Sequence, residues 1–216
     1  MENGTLVISA EAPKRGAVGI EKHDTETGTV KEANANYTMD GAVYTIYSDE
    51  GCTAEVTRLT IENGRAQTGK ELLFGDYWIK ETTPPAYYEA DAGVYKVTID
   101  SENCETVSLE NGTLVLSADT PKRARLAVQK RDAETGETSP YTEALSFAGA
   151  EFGIYRDKDC TELIQSLVTD ESGYAVSEEL LIDTYYIREI TAPEGYNRNP
   201  KIFAVAPEQM KEALDK

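Results

Sequence analysis

The chain has 216 residues, 40% of them hydrophobic, enough for one medium domain or two of roughly 100 residues each with its own core. Its 39 acidic against 21 basic residues leave a formal net charge of -18, which repels phosphate backbones and anionic lipid surfaces and excludes nucleic acid and membrane as expected partners. One histidine, His23, and three cysteines exclude His-rich relays and four-thiolate zinc sites in a monomer, so neither metal nor cofactor is expected.

In chain order, the first element is a strand-like segment, Glu2 to Val7, that recurs at 110 to 115. Both copies are followed by Ser-Ala-acid-x-Pro-Lys-Arg, at an offset of 108 residues. The chain thus holds two periods cut out of phase. Residues 1 to 15 read as the last strand of a preceding repeat, 16 to 121 as a complete module, and 122 to 216 as a second module truncated before its last strand.

Within the first module, Val18, Ile20 and Lys22 alternate onto one face of a strand, and a turn follows from Asp24 to Gly28. Ala42, Tyr44 and Ile46 share the next face, Tyr77, Ile79 and Glu81 another. The closing strand, 113 to 119, places Val115, Ser117 and Asp119 together. The second copy repeats the pattern with Leu126, Val128 and Lys130, then Ala150, Phe152 and Ile154, then Tyr185, Ile187 and Glu189. Pro207 opens a run of helix formers ending at Leu214, the pattern of a short terminal helix. Many short strands with turn signals predict an all-β chain of two tandem β-sandwich modules.

A lysine and a glutamate in phase with the apolar face recur 59 residues apart in both copies, Lys22 with Glu81 and Lys130 with Glu189. One reading is a buried ion pair, or strand ends where both side chains reach solvent. The other is chemical. Burial favours the neutral forms, and a neutral amine is a nucleophile that needs only a carboxyl or amide held against it. Asp119 is the candidate electrophile; a solvated residue ahead of the Thr120–Pro121 turn is its alternative reading.

Lys-x-Asp-x-Glu-Thr-Gly, then Gly-Ala-x-(Phe/Tyr)-x-Ile-Tyr, then Tyr-x-x-x-Glu-x-x-Ala-Pro-x-Gly-Tyr resembles the Cna protein B-type, or SpaA-like, domains of Gram-positive pilins and surface adhesins. Tyr185 to Tyr196 matches the third motif in full, and Tyr77 to Tyr88 matches it with Ala86 where Gly is usual. The resemblance implies an Ig-like, prealbumin-like sandwich with an intramolecular isopeptide bond, joining Lys22 to Asp119 with Glu81 assisting. Lys130 and Glu189 are the second-module candidates, without an acceptor strand. The matching amino-terminal strand carries Glu11 where the resemblance calls for Asn or Asp.

It further implies a structural stalk module in an extracellular, cell-wall-anchored protein, as part of a longer parent chain, with neighbouring repeats as partners. A module missing its last strand beside a spare matching one, 2 to 12, adds strand-donating self-association. A ligand-binding adhesin domain recognising a host matrix protein or glycan is the alternative function. An enzyme with paired carboxylates ranks lower, because no second carboxylate recurs with each glutamate. Cys52 and Cys104 form a candidate disulfide, set against free thiols, and the acidic loops Asp157–Asp159 and Asp170–Gly173 lack the ligand spacing of a calcium loop.

Overall fold

The computed structural model describes residues 8–216 and divides at Pro121/Lys122 into two compact units. The first contains β1 Arg15–Gly16, β2 Gly19–Asp24, β3 Val43–Tyr47, β4 Glu55–Thr60, β5 Arg65–Gln67, β6 Leu72–Leu73, β7 Gly75–Thr83, β8 Tyr88–Glu89, β9 Val94–Ile99 and β10 Leu114–Pro121. They build one four-stranded sheet in the order β4-β3-β7-β9, a second in the order β5-β2-β10-β8, and a small β1-β6 pair. The apolar alternation dictates the layering. Val18, Ile20, Tyr44, Ile46, Ile79 and Val115 turn inward from both sheets into one buried cluster; along β10 burial alternates residue by residue, whereas on β3 Thr45, between Tyr44 and Ile46, is buried as well.

β2 and β10, the long strands nearest the two ends of this unit, run parallel and adjacent. Leu114 pairs with Gly19, and the register continues to Asp119 opposite Asp24. This brings Lys22 and Asp119, 97 residues apart in sequence, onto the same inner face.

The second unit contains β11 Arg123–Ala124, β12 Ala127–Gln129, β13 Glu151–Tyr155, β14 Leu163–Val168, β15 Tyr174–Val176, β16 Leu180–Leu181, β17 Tyr185–Thr191, β18 Ile202–Val205 and a helix, α1, Pro207–Leu214. Its sheet β14-β13-β17-β18 matches the first sheet of unit one. The counterpart of the second sheet is reduced to β12-β15, with β11-β16 as a separate pair. On β12 the edge that β10 covers in unit one has no partner strand among the described residues.

Of the segment expected as a preceding repeat's last strand, residues 1–7 lie outside the described residues. Residues 8–14 form no strand, and Glu11 is exposed. Arg15 and Gly16 instead pair with Leu73 and Leu72. The candidate disulfide is corrected: Cys52 and Cys104 are both free. Cys104 is packed into the core cluster, while Cys52 sits in the β3–β4 turn with its thiol beside the Glu50 carbonyl.

Candidate functional site

Lys22 reaches the core because β2 holds its backbone rigidly. Its N–H donates to the Gly64 carbonyl at 2.8 Å. Gly64 has φ +75° and leaves no room for a side chain, since an added Cβ would lie 2.8 Å from the Val30 Cβ. β7 turns Glu81 inward and β10 turns Asp119 inward, and all three side chains are fully buried.

Lys22 Nζ lies 2.7 Å from Glu81 Oε1 and 2.7 Å from Asp119 Oδ1, yet the two contacts differ in kind. The first is a hydrogen bond, and Glu81 Oε2 accepts a second one from the Asp91 N–H at 2.8 Å. Glu81 is therefore furnished as a carboxylate. The approach to Asp119 is close but off the hydrogen-bond direction, and neither Asp119 oxygen has a hydrogen-bond partner among the described residues. Burial pushes the Asp119 carboxyl up to about 6 against the pull of the adjacent Lys22 ammonium. Burial thus favours the neutral acid at Asp119.

Lys22 makes a third contact, donating to the Tyr44 hydroxyl at 2.7 Å. Tyr44 Oη and Ser117 Oγ are 2.6 Å apart, and Ser117 donates to Asp91 Oδ2 at 2.5 Å. Tyr95 donates to the same oxygen, and the Gly93 N–H to Oδ1 at 2.8 Å. Burial works to raise the Asp91 pKa, but donation from Ser117, Tyr95 and Gly93, with the Lys22 charge, holds it below the ordinary carboxylate value. Sequence reasoning placed Tyr44 and Ser117 on inner faces but gave them no role, and it missed Asp91. The signal was available: at the 108-residue offset Tyr44, Asp91 and Tyr95 become Phe152, Asn199 and Phe203.

The recurrent Asp and Tyr of the motifs meet in space. Tyr88 donates to Asp24 Oδ2 at 2.6 Å, and Asp24 also accepts the N–H groups of Glu26 and Ala33, pinning the turn after β2. Tyr196 and Asp132 repeat this contact at 3.3 Å. The acidic loops are satisfied internally: Asp157 accepts from the Thr161 and Glu162 N–H groups, Asp170 from those of Ser172 and Tyr174.

In the second unit Lys130 Nζ is 2.6 Å from Glu189 Oε1, and Glu189 Oε2 accepts from the Asn199 N–H at 2.5 Å. The Lys130 N–H again meets a glycine carbonyl, that of Gly173, at 2.8 Å. Among the described residues, no carboxyl faces Lys130 as Asp119 faces Lys22. Two cavities of about 320 and 230 Å³ run instead along the uncovered edge of β12, sharing Val128, Gln129, Phe152 and Phe203 in their walls.

The family model of the SpaA prealbumin-like fold domain matches residues 16–113 and again 125–215. The chain belongs to this family. Among solved structures, the TIE protein of Bacillus anthracis shares the SpaA-like fold with 25% identity and a TM-score of 0.60, over 89% of this chain and 31% of that one. A C-terminal fragment of the pilus adhesin SpaC from Lactobacillus rhamnosus GG aligns with 20% identity and a TM-score of 0.42, over 91% of this chain and 84% of the fragment. A trypsin-resistant surface T6 protein of Streptococcus pyogenes is 35% identical over 57 residues, 26% of this chain and 10% of that protein. The chain therefore spans about a tenth of the streptococcal relative and under a third of the Bacillus one. The streptococcal relative is by name a surface protein.

Proposed function

We propose that this chain is a structural stalk segment of an extracellular, cell-wall-anchored adhesin or pilus-like protein, whose first module, residues 16–121, is closed by an autocatalytic Lys22–Asp119 isopeptide bond. One observation carries this reading: a fully buried amine lies 2.7 Å from a fully buried carboxyl that has no hydrogen-bond partner of its own among the described residues. Such an arrangement costs free energy as an ion pair and gains it by becoming a neutral amide.

The step balances within the site. Lys22 passes one proton to Asp119, and the freed amine attacks Asp119 Cγ to form the C–N bond. Glu81 takes a second proton from the nitrogen and returns it to the departing hydroxyl, and one C–O bond breaks to release water. Glu81 ends as it began, and no external substrate is turned over.

The second module, residues 122–216, carries Lys130 and Glu189 in waiting, and the uncovered edge of β12 with its apolar cavities supports addition of an extended strand from a neighbouring repeat or a second copy. In the neighbour's closing strand, Glu11 would stand at the position of Asp119.

Intact-mass measurement of the full chain tests the bond. The wild type is expected to lack the mass of one water, and tandem mass spectrometry to find residues 22 and 119 in one branched peptide. Lys22→Ala retains the water. A wild-type mass without the loss refutes the bond; loss of two waters refutes the reading that only the first module has its acceptor.

A further inference from the structure

The chain of hydroxyls leading away from Lys22 is buried, fully connected and unused by the condensation itself. We propose that Asp91, acting through Ser117, keeps the Tyr44 hydroxyl from donating to the Lys22 amine, so that the amine's lone pair stays aimed at Asp119. This rests on the Lys22–Asp119 cross-link.

The argument is one of hydrogen-bond polarity. A carboxylate only accepts, so Ser117 gives its single proton to Asp91 Oδ2 at 2.5 Å. The Ser117 oxygen can then face Tyr44 only as an acceptor, and Tyr44 gives its own proton to Ser117 at 2.6 Å. Tyr44 is left facing Lys22 only as an acceptor, at 2.7 Å. Burial and the surrounding carboxylates push the Tyr44 pKa up, so the phenol keeps its proton.

Two of the three Lys22 N–H bonds are thereby held, by Glu81 and Tyr44, which leaves the third for Asp119, whose Oδ1 lies 2.7 Å from the nitrogen. When that third proton leaves, the lone pair emerges where the electrophile sits. A Tyr44 hydroxyl free to rotate would instead donate to the neutral amine and cap it. The second module is consistent. Where Phe152 replaces the tyrosine and no hydroxyl can cap Lys130, the carboxylate and the second tyrosine are absent too, as Asn199 and Phe203.

The test is the rate of water loss in full chain made by cell-free translation, quenched at intervals and read by intact mass. Ser117→Ala and Asp91→Asn, which free or reverse the chain, are expected to slow the reaction about tenfold, the worth of one hydrogen bond. Tyr44→Phe should slow it less. The decisive variant combines Tyr44→Phe with Ser117→Ala and should recover the faster Tyr44→Phe rate, a rescue that neither misfolding nor a packing defect produces. Wild-type rates in Ser117→Ala, or a double variant no faster than Ser117→Ala, overturn the inference while leaving the cross-link standing. A wild type that never loses water overturns the cross-link and this inference together.

Discussion

Lys22, Glu81 and Asp119 hold one proton more than the neutral amine and two carboxylates would. That proton can sit on the nitrogen or on Asp119, and only the second arrangement reacts. Because burial raises the Asp119 pKa to about 6, acidifying below that value fills the carboxyl with a proton from solvent, so that it can no longer take one from Lys22. The nucleophile is then lost. Bond formation is expected to be level above about pH 7, to be halved at about pH 6 and to fall toward a factor of ten per unit below that, followed by quenched intact-mass time courses. Asp91, held below the ordinary carboxylate value by its hydrogen bonds, does not set this limit. The lysine and glutamate were legible in the sequence because they stand in phase with apolar neighbours and recur in both copies. Asp119 was less so: its strand is apolar on both faces, and alternation left its direction open. Asp91 could not be found by alternation at all, because it lies in the connection between β8 and β9, where no period-two pattern applies.

At the scale of the element, the site depends on two parallel strands held in register by features far from the reacting atoms. Tyr88 is one. It sits opposite Pro121 at the end of β10 and donates to Asp24 at the end of β2, clasping the two strands where the chain leaves the module. Tyr88→Phe leaves the buried Asp24 carboxylate one donor short and should cost about 1–3 kcal/mol in urea unfolding of the chain. Gly64→Ala should lower stability too, through strain at positive φ and the contact with Val30, and it should slow cross-linking by disturbing the backbone that seats Lys22. The strands themselves were readable from alternation and turn residues. Their partners were not, because a strand's pattern states which face is buried but not which edge is paired or in which direction. The two-residue strands β1, β6, β8, β11 and β16 are too short to carry any pattern.

Over the whole chain, one repeat recurs with different side chains around its lysine–glutamate pair, and its 108-residue period was the most legible feature of all. In the first unit, the proposed bond from Lys22 to Asp119 would close a 97-residue span, worth about 4–5 kcal/mol in the chain-entropy model. Unlinked Glu81→Gln chain should unfold more readily than the linked wild type by about that amount. The parallel adjacency of β2 and β10 has a mechanical corollary. Tension applied at the two ends of this unit would enter along β2, cross the amide and leave along β10, bypassing residues 23 to 118 altogether. That span would stay relaxed while the molecule is stretched, so its loops can vary, or carry a recognition surface, without weakening the tether. Cys104 lies inside it, 2% exposed, and is a built-in reporter. Under steady load its thiol should remain unlabelled in the wild type and react with maleimide once Lys22→Ala removes the shunt; labelling of the stretched, linked protein would show that force reaches the core after all.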